Sequence, residues 1–118
     1  MIETMKTTAL VQKGWRKDPT AMPLNELIDL ATLNGGKALG LNCGVIKENA
    51  LADIILIDTN SYAFTPNINF KANLIYSANS SCVDTVICDG NILMEGRVVE
   101  GESEIIENAN RVYKKLIQ

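Results

Sequence analysis

The hydrophobic periodicity of this chain changes character near Val45, and that change constrains its fold more than any other feature. Before it, apolar residues recur at helical spacing; after it they run in short strand-like blocks until a helical stripe returns at the C-terminus. Ile2, Met5, Ala9 and Leu10 recur at helical spacing with no Gly or Pro before Gly14, so the first element is a helix ending near Lys13. Trp15 to Pro23 carries two prolines and reads as a loop. Pro23 suits the opening turn of a second helix, from about Leu24 to Leu33, with Leu24, Leu27, Ile28 and Ala31 on one face. Asn34-Gly35-Gly36 is expected to break it, and Lys37-Ala38-Leu39 to add one turn closed by a left-handed Gly40.

Beyond Val45 the reading is of strands. Val45-Ile46 is a short strand, followed by a turn at Lys47 to Ala50 in which Asn49 can take a positive φ. Asp53 to Ile57 is a strand apolar on both faces, which implies burial. Asp58 to Lys71 is irregular, with Pro66 excluding a central strand, and Leu74-Ile75-Tyr76 reads as a brief strand. Val83 to Cys88 and Asn91 to Met94 flank Asp89-Gly90, the dipeptide favoured by a type I′ hairpin. The last element is a helix with Ser103 as N-cap and Ile105, Ala109, Val112 and Leu116 on one face. Glu104 and Glu107 near its start, with Arg111, Lys114 and Lys115 near its end, match the helix dipole, and Glu107 with Arg111 is a favourable i, i+4 pair. A helix of this length is marginal alone and needs a surface to pack on.

Composition narrows the class. A chain of 118 residues, 47% apolar and 21% charged, has the balance of one folding domain. A net charge of -3 with scattered Lys and Arg argues against nucleic acid and anionic membranes as partners. The longest apolar run, Ile54 to Ile57, is far below the roughly 20 residues that span a bilayer. The N-terminus has an early acid, Glu3, and no long apolar stretch of a secretory signal, so a cytoplasmic location is the default expectation. Cys43, Cys82 and Cys88 are odd in number without Cys-x-x-Cys spacing, which favours core packing over redox or metal roles.

The chain contains no histidine, so no Ser-His or Cys-His nucleophile can be assembled, and no Ser-x-x-Lys motif is present. Asp53 and Asp58 bracket a strand, and Asp84 and Asp89 lie near the hairpin. No spacing converges two or three of them on one ion, so they read as solvated acids rather than metal ligands. Gly35-Gly36 lacks the rest of a phosphate-binding loop and reads as a helix breaker. Trp15 is expected to cover the adjacent helix rather than to stack on a ligand. No residue is assigned a catalytic, cofactor-binding or metal-binding role.

Five stretches, in order, resemble the C-terminal part of metal-dependent amidohydrolases, in the branch holding methylthioadenosine/S-adenosylhomocysteine deaminases and triazine chlorohydrolases. Met5-Lys6-Thr7-Thr8-Ala9-Leu10 is similar to the helix that follows the last barrel strand, and Asp18 to Pro23 to the connector after it. Ala31-Thr32 with Asn34 to Gly40 resembles Ala-Thr-x-Asn-Gly-Ala-x-Ala-Leu-Gly, with Gly36 in place of an alanine. Ala52-Asp53 and the apolar run after it resemble the family's Ala-Asp-Leu strand, and Val83 to Gly90 its Val-x-x-Val-x-Val-x-Gly strand and turn. Lys47 to Ala50 departs from the usual Glu-x-Gly-Lys.

The resemblance implies an α+β fold: closing helices of a TIM barrel over residues 1–42, strands of a composite β-sandwich over 43–100 and a C-terminal helix over 101–118. A (β/α)8 barrel takes about 250 residues. The family's metal-binding histidines, its acid-base Glu and its strand-end Asp are therefore expected upstream of Met1. The implied role is a C-terminal scaffold segment of a hydrolase acting on C-N bonds. The parent would be an aminopurine nucleoside deaminase using zinc or a similar divalent metal, with this chain inactive alone. The implied partner is the remainder of that parent, and an exposed strand edge favours self-association. The alternative is an autonomous, non-catalytic interaction module that binds through an unpaired sheet edge or through Trp15.

Overall fold

The computed structural model describes residues 1–117. Helix α1 (Ile2–Arg16) buries Ile2, Met5 and Ala9 along one stripe. It runs through Gly14 rather than ending near Lys13, because one glycine costs a helix only about 1 kcal/mol. Lys17 closes it in the left-handed region (φ 52°), and the Asp18 N–H donates to the Lys13 carbonyl at 3.1 Å. Trp15 therefore stands on the last helical turn, away from the buried stripe, and is 78% exposed instead of covering the helix. The connector is tied back to α1, since Lys13 Nζ donates to the Ala21 carbonyl at 2.7 Å.

Helix α2 (Leu24–Ala31) buries Leu27 and follows Pro23, which stands just outside it as the capping residue. The break falls at Thr32 (φ −125°, ψ −91°), not at Asn34-Gly35-Gly36. Those three residues lie inside α3 (Leu33–Ala38), where Gly36 permits close approach: a Cβ there would stand 2.9 Å from the Cys43 carbonyl oxygen. Gly40 (φ 69°) and Asn49 (φ 62°) take the left-handed conformations expected of them. Val45-Ile46 forms no strand. The preceding Gly44 instead packs its backbone against Thr32 and Leu33 at φ 77°.

Strands β1 (Ile54–Ile57), β2 (Val83–Cys88), β3 (Asn91–Glu95) and β4 (Val98–Val99) form one antiparallel sheet in the order β1-β2-β3-β4. Cys88 pairs with Asn91 across a two-residue turn, with Asp89 at φ 48° and Gly90 at φ 78°, the double positive φ that a type I′ hairpin demands. A second two-residue turn, Gly96-Arg97 (φ 55° and 67°), joins β3 to β4. Ile55 and Leu56 are half exposed, against the burial expected for a strand apolar on both faces. Apolar continuity records what a strand is built to meet, and here the faces of β1 are incompletely covered.

Leu74-Ile75-Tyr76 is helical rather than extended. Helix α4 (Phe70–Ala72) passes directly into a π-helical turn, Asn73–Ser77. Asn69 caps it by accepting the Ala72 N–H at 3.0 Å. Ile75, fully buried, joins Ile2, Met5, Ala9, Met22, Leu27, Phe64, Ala78 and Cys82 in one core. Phe64 stacks on Phe70 with ring centroids 5.6 Å apart. The core thus lies between α1, α2 and the connector that leads into β2, not on a face of the sheet.

Helix α5 (Glu102–Leu116) starts from Gly101 (φ 74°) instead of from a Ser103 cap. Its Arg111 donates to Asn108 Oδ1 at 2.8 Å rather than pairing with Glu107. None of its residues is buried.

Two glycine substitutions separate backbone freedom from packing. Gly44→Ala is expected to lower stability by about 2 kcal/mol or more, because its Cβ would meet the Thr32 carbonyl at 2.5 Å in a left-handed conformation. Gly14→Ala, with no atom within 4 Å of the new Cβ, is expected to raise stability by about 0.5–1 kcal/mol. Urea unfolding midpoints moving in opposite directions check both.

Candidate functional site

The polar side chains that the fold gathers lie where the end of β1 meets the β3–β4 turn. Asp58 follows β1, and its Oδ2 accepts from Arg97 Nη2 at 2.6 Å. Arg97 is held in place from its own backbone: its N–H donates to the Asp84 carbonyl at 2.8 Å. Asp58 Oδ1 also accepts the Asn60 N–H at 2.8 Å, and the Asp58 N–H donates to the Cys82 carbonyl at 2.8 Å. Asn60, Ser61, Tyr62, Asn79, Ser81 and Cys82 complete the walls of an open recess of about 380 Å³.

The Asn60 N–H first, and the Arg97 guanidinium second, hold the Asp58 carboxyl below the ordinary carboxylate range. Burial pushes the Cys82 thiol up, so it stays protonated and is a poor nucleophile at neutral pH. An ion pair beside a protonated thiol makes a structural clasp and a polar surface.

The other sequence-marked residues do not join this recess. Asp53 Oδ1 accepts the Asp89 N–H at 2.8 Å, and the Gly90 N–H donates to the Ala52 carbonyl at 3.1 Å, so the hairpin turn is pinned to the residues before β1. Asp84 accepts from its neighbour Thr85 Oγ1 at 3.0 Å. Of the cysteines expected to pack in the core, Cys82 does so, Cys43 is half-buried and Cys88 is exposed. Cys88 ends β2 beside the turn, where Asp53, ahead of the small desolvation there, pushes its thiol up. Arg97 was not marked by sequence at all. The available signal was Gly96-Arg97 between two strand-like runs, which places a side chain at a turn whose partner lies 39 residues away.

A second hollow is apolar. Met1, Ile2, Met5, Ile28, Leu39 and Ile55 help line a groove of about 440 Å³ between α1, α2, α3 and β1. It carries a single acid, Asp53, already engaged with the hairpin turn.

Helices packed beside one antiparallel sheet define an α+β architecture. The chain belongs to the amidohydrolase family, whose sequence profile matches residues 1–93. It is 47% identical over 119 residues to 5-methylthioadenosine/S-adenosylhomocysteine deaminase 1 of Archaeoglobus fulgidus, covering 98% of this chain and 28% of that protein. It is 44% identical over 107 residues to the 5'-deoxyadenosine deaminase of Methanothermobacter thermautotrophicus, covering 91% of this chain and 24% of that protein.

Among solved structures, an adenosine deaminase from Xanthomonas campestris with bound zinc superposes on 98% of this chain and 27% of its own, with a TM-score of 0.91 and 25% identity. Atrazine chlorohydrolase from Arthrobacter aurescens, complexed with zinc, shares the fold at a TM-score of 0.82 and 21% identity, over 94% of this chain and 26% of its own. The chain thus spans about a quarter of the length of the relatives it matches. Zinc takes His, Cys and carboxylate ligands. The described residues hold no group of three or more such side chains and the chain has no histidine, so its own residues do not fit a zinc site. Among the described residues no helix is long and apolar enough to cross a membrane.

The Asp58 clasp has a pH signature. Its carboxyl is depressed in the folded state, so its contribution is present above the unfolded carboxylate pKa of about 3.9 and is lost as the pH falls through the depressed folded value. Thermal unfolding of the native chain and of Asp58→Asn should differ at neutral pH, with the gap closing in acid. A gap of constant size down to low pH would show that the ionised clasp is not its source.

Proposed function

We propose that this chain is the C-terminal scaffold segment of a metal-dependent amidohydrolase that deaminates an adenine nucleoside. On this reading residues 1–42 supply closing helices of the catalytic barrel, 43–100 strands of a β-sandwich shared with the rest of the enzyme, and 101–118 a terminal helix. The observation that carries it is 47% identity along 98% of the chain to a deaminase of which the chain covers 28%. The metal would be held, and water activated, by residues outside this chain.

The exposed apolar surface supports the reading. Ile55 and Leu56 on β1, Ile92 and Leu93 on β3, and the groove beside Met1, Met5 and Leu39 leave large apolar side chains open to solvent. The partner that fits them is the remainder of the parent enzyme, which would also occupy the free edge of β1. The role of this segment is to keep the barrel's closing helices and the sandwich strands in register, and it works in the cytoplasm.

A chimera tests this. Replacing the corresponding C-terminal quarter of the Archaeoglobus fulgidus deaminase with this chain should give a soluble enzyme that releases ammonia from 5-methylthioadenosine within about tenfold of its parent, a barrier change near 1.4 kcal/mol. The 118-residue chain alone should release none. Stoichiometric zinc binding and deamination by the chain alone would overturn the scaffold assignment, as would a chimera that folds but is inactive.

A further inference from the structure

Helix α5 buries none of its residues, yet Ile105, Ala109, Val112 and Leu116 form one apolar stripe along it, which Ile106 and Tyr113 widen on one side. Ile105, Ile106, Val112, Tyr113 and Leu116 are each more than half exposed. The opposite side is charged, with Glu107, Arg111 and Lys114. A helix of 15 residues is marginal in water and owes its stability to packing of its apolar face. Its own sheet does not supply that packing, since Ile92, Leu93 and Val98 stay open as well.

The placement of α5 is nevertheless shared with larger enzymes. The superposition on the Xanthomonas campestris adenosine deaminase covers 98% of this chain, and that on atrazine chlorohydrolase 94%. Each leaves out fewer residues than the 15 of α5, so the helix lies at least partly within both. This chain accounts for only 27% and 26% of those two enzymes. A helix that keeps its place without burying anything against its own chain is held from outside that chain.

We propose that the apolar stripe of α5 docks on the part of the parent enzyme that lies outside this chain, within the same polypeptide. The inference rests on the scaffold reading and adds to it the surface by which the end of the segment is held. The surface that receives α5 is an apolar strip about 17 Å long, the span from Ile105 to Leu116 at about 1.5 Å per residue. It reaches further on the side of Ile106 and Tyr113 than on the side of Glu104 and Lys115, where charges border the stripe. Docked in this way, α5 ties the β3–β4 end of the sheet to the catalytic part of the enzyme.

Hydrogen exchange tests it in the active chimera of the Archaeoglobus fulgidus deaminase that carries this chain. Amides of α5 should exchange at least about tenfold more slowly there than in the isolated 118-residue chain, and the slowing should not change on dilution. Val112→Glu should remove the slowing in the chimera and leave exchange in the isolated chain as it was, because there the face is open. Val112→Ala, a milder change, should remove about threefold of it, and Lys114→Gln on the charged side none. Slow amides around Ile75 report that each variant keeps its core. An active chimera whose α5 exchanges as fast as in the isolated chain, or is indifferent to both Val112 variants, would overturn the docking and leave the scaffold reading standing. Protection of α5 in the isolated chain that grows with its concentration would give the face to a second copy and overturn the docking too. A chimera that folds but is inactive would overturn the scaffold reading, and this docking with it.

Discussion

The structure turns on the burial of one connector against the first two helices. Ile75 is fully enclosed, and around it lie Ala9 of α1, Leu27 of α2, Phe64 and Cys82. Enclosing a side chain of that size contributes roughly 1.5–3 kcal/mol, and truncating it to alanine would cost about 2–5 kcal/mol once the cavity is included. The chain enters this core from β1 and leaves it into β2. The same contacts that hold the helices together therefore also fix where the sheet begins.

That dependence explains which features were legible in the sequence. The Asp89-Gly90 hairpin, the left-handed Gly40 and the turn at Asn49 are local: each follows from what a residue's own backbone tolerates. The segment Leu74-Ile75-Tyr76 is not local. Three apolar residues suit a strand or a helix equally, and the choice falls to the Asn69 cap and to the space waiting for Ile75 between α1 and α2. Trp15 shows the same limit. Whether it lies in a loop or on a helix depends on Lys17 accepting a left-handed backbone, which no pattern of apolar residues announces.

The clasp between Asp58 and Arg97 was illegible for a related reason. Neither residue is unusual where it stands, and 39 positions separate them. They meet because β1 pairs with β2 and β3 returns along β2, bringing the second turn beside the end of β1. A register shift between Leu56 and Ile57 falls at that end of β1, and a second lies between Val86 and Ile87 opposite β3. Bulges of this kind re-aim strand ends, so the clasp is a product of sheet geometry and not of motif.

Burial is divided unevenly between the two halves of the chain, and that division bears on what each half needs. The helices and the connector share a core with its own enclosed aromatic ring, whereas the sheet keeps Ile55, Leu56, Ile92, Leu93 and Val98 largely open and α5 encloses nothing. Strand pairing satisfies backbone groups but returns little hydrophobic free energy while the faces stay wet. The sheet and α5 are therefore held mainly by hydrogen bonds, by turn geometry and by the attachment of β1 and β2 to the core. Their apolar side chains stay open to solvent in this chain, so the strand half draws little of its stability from burial.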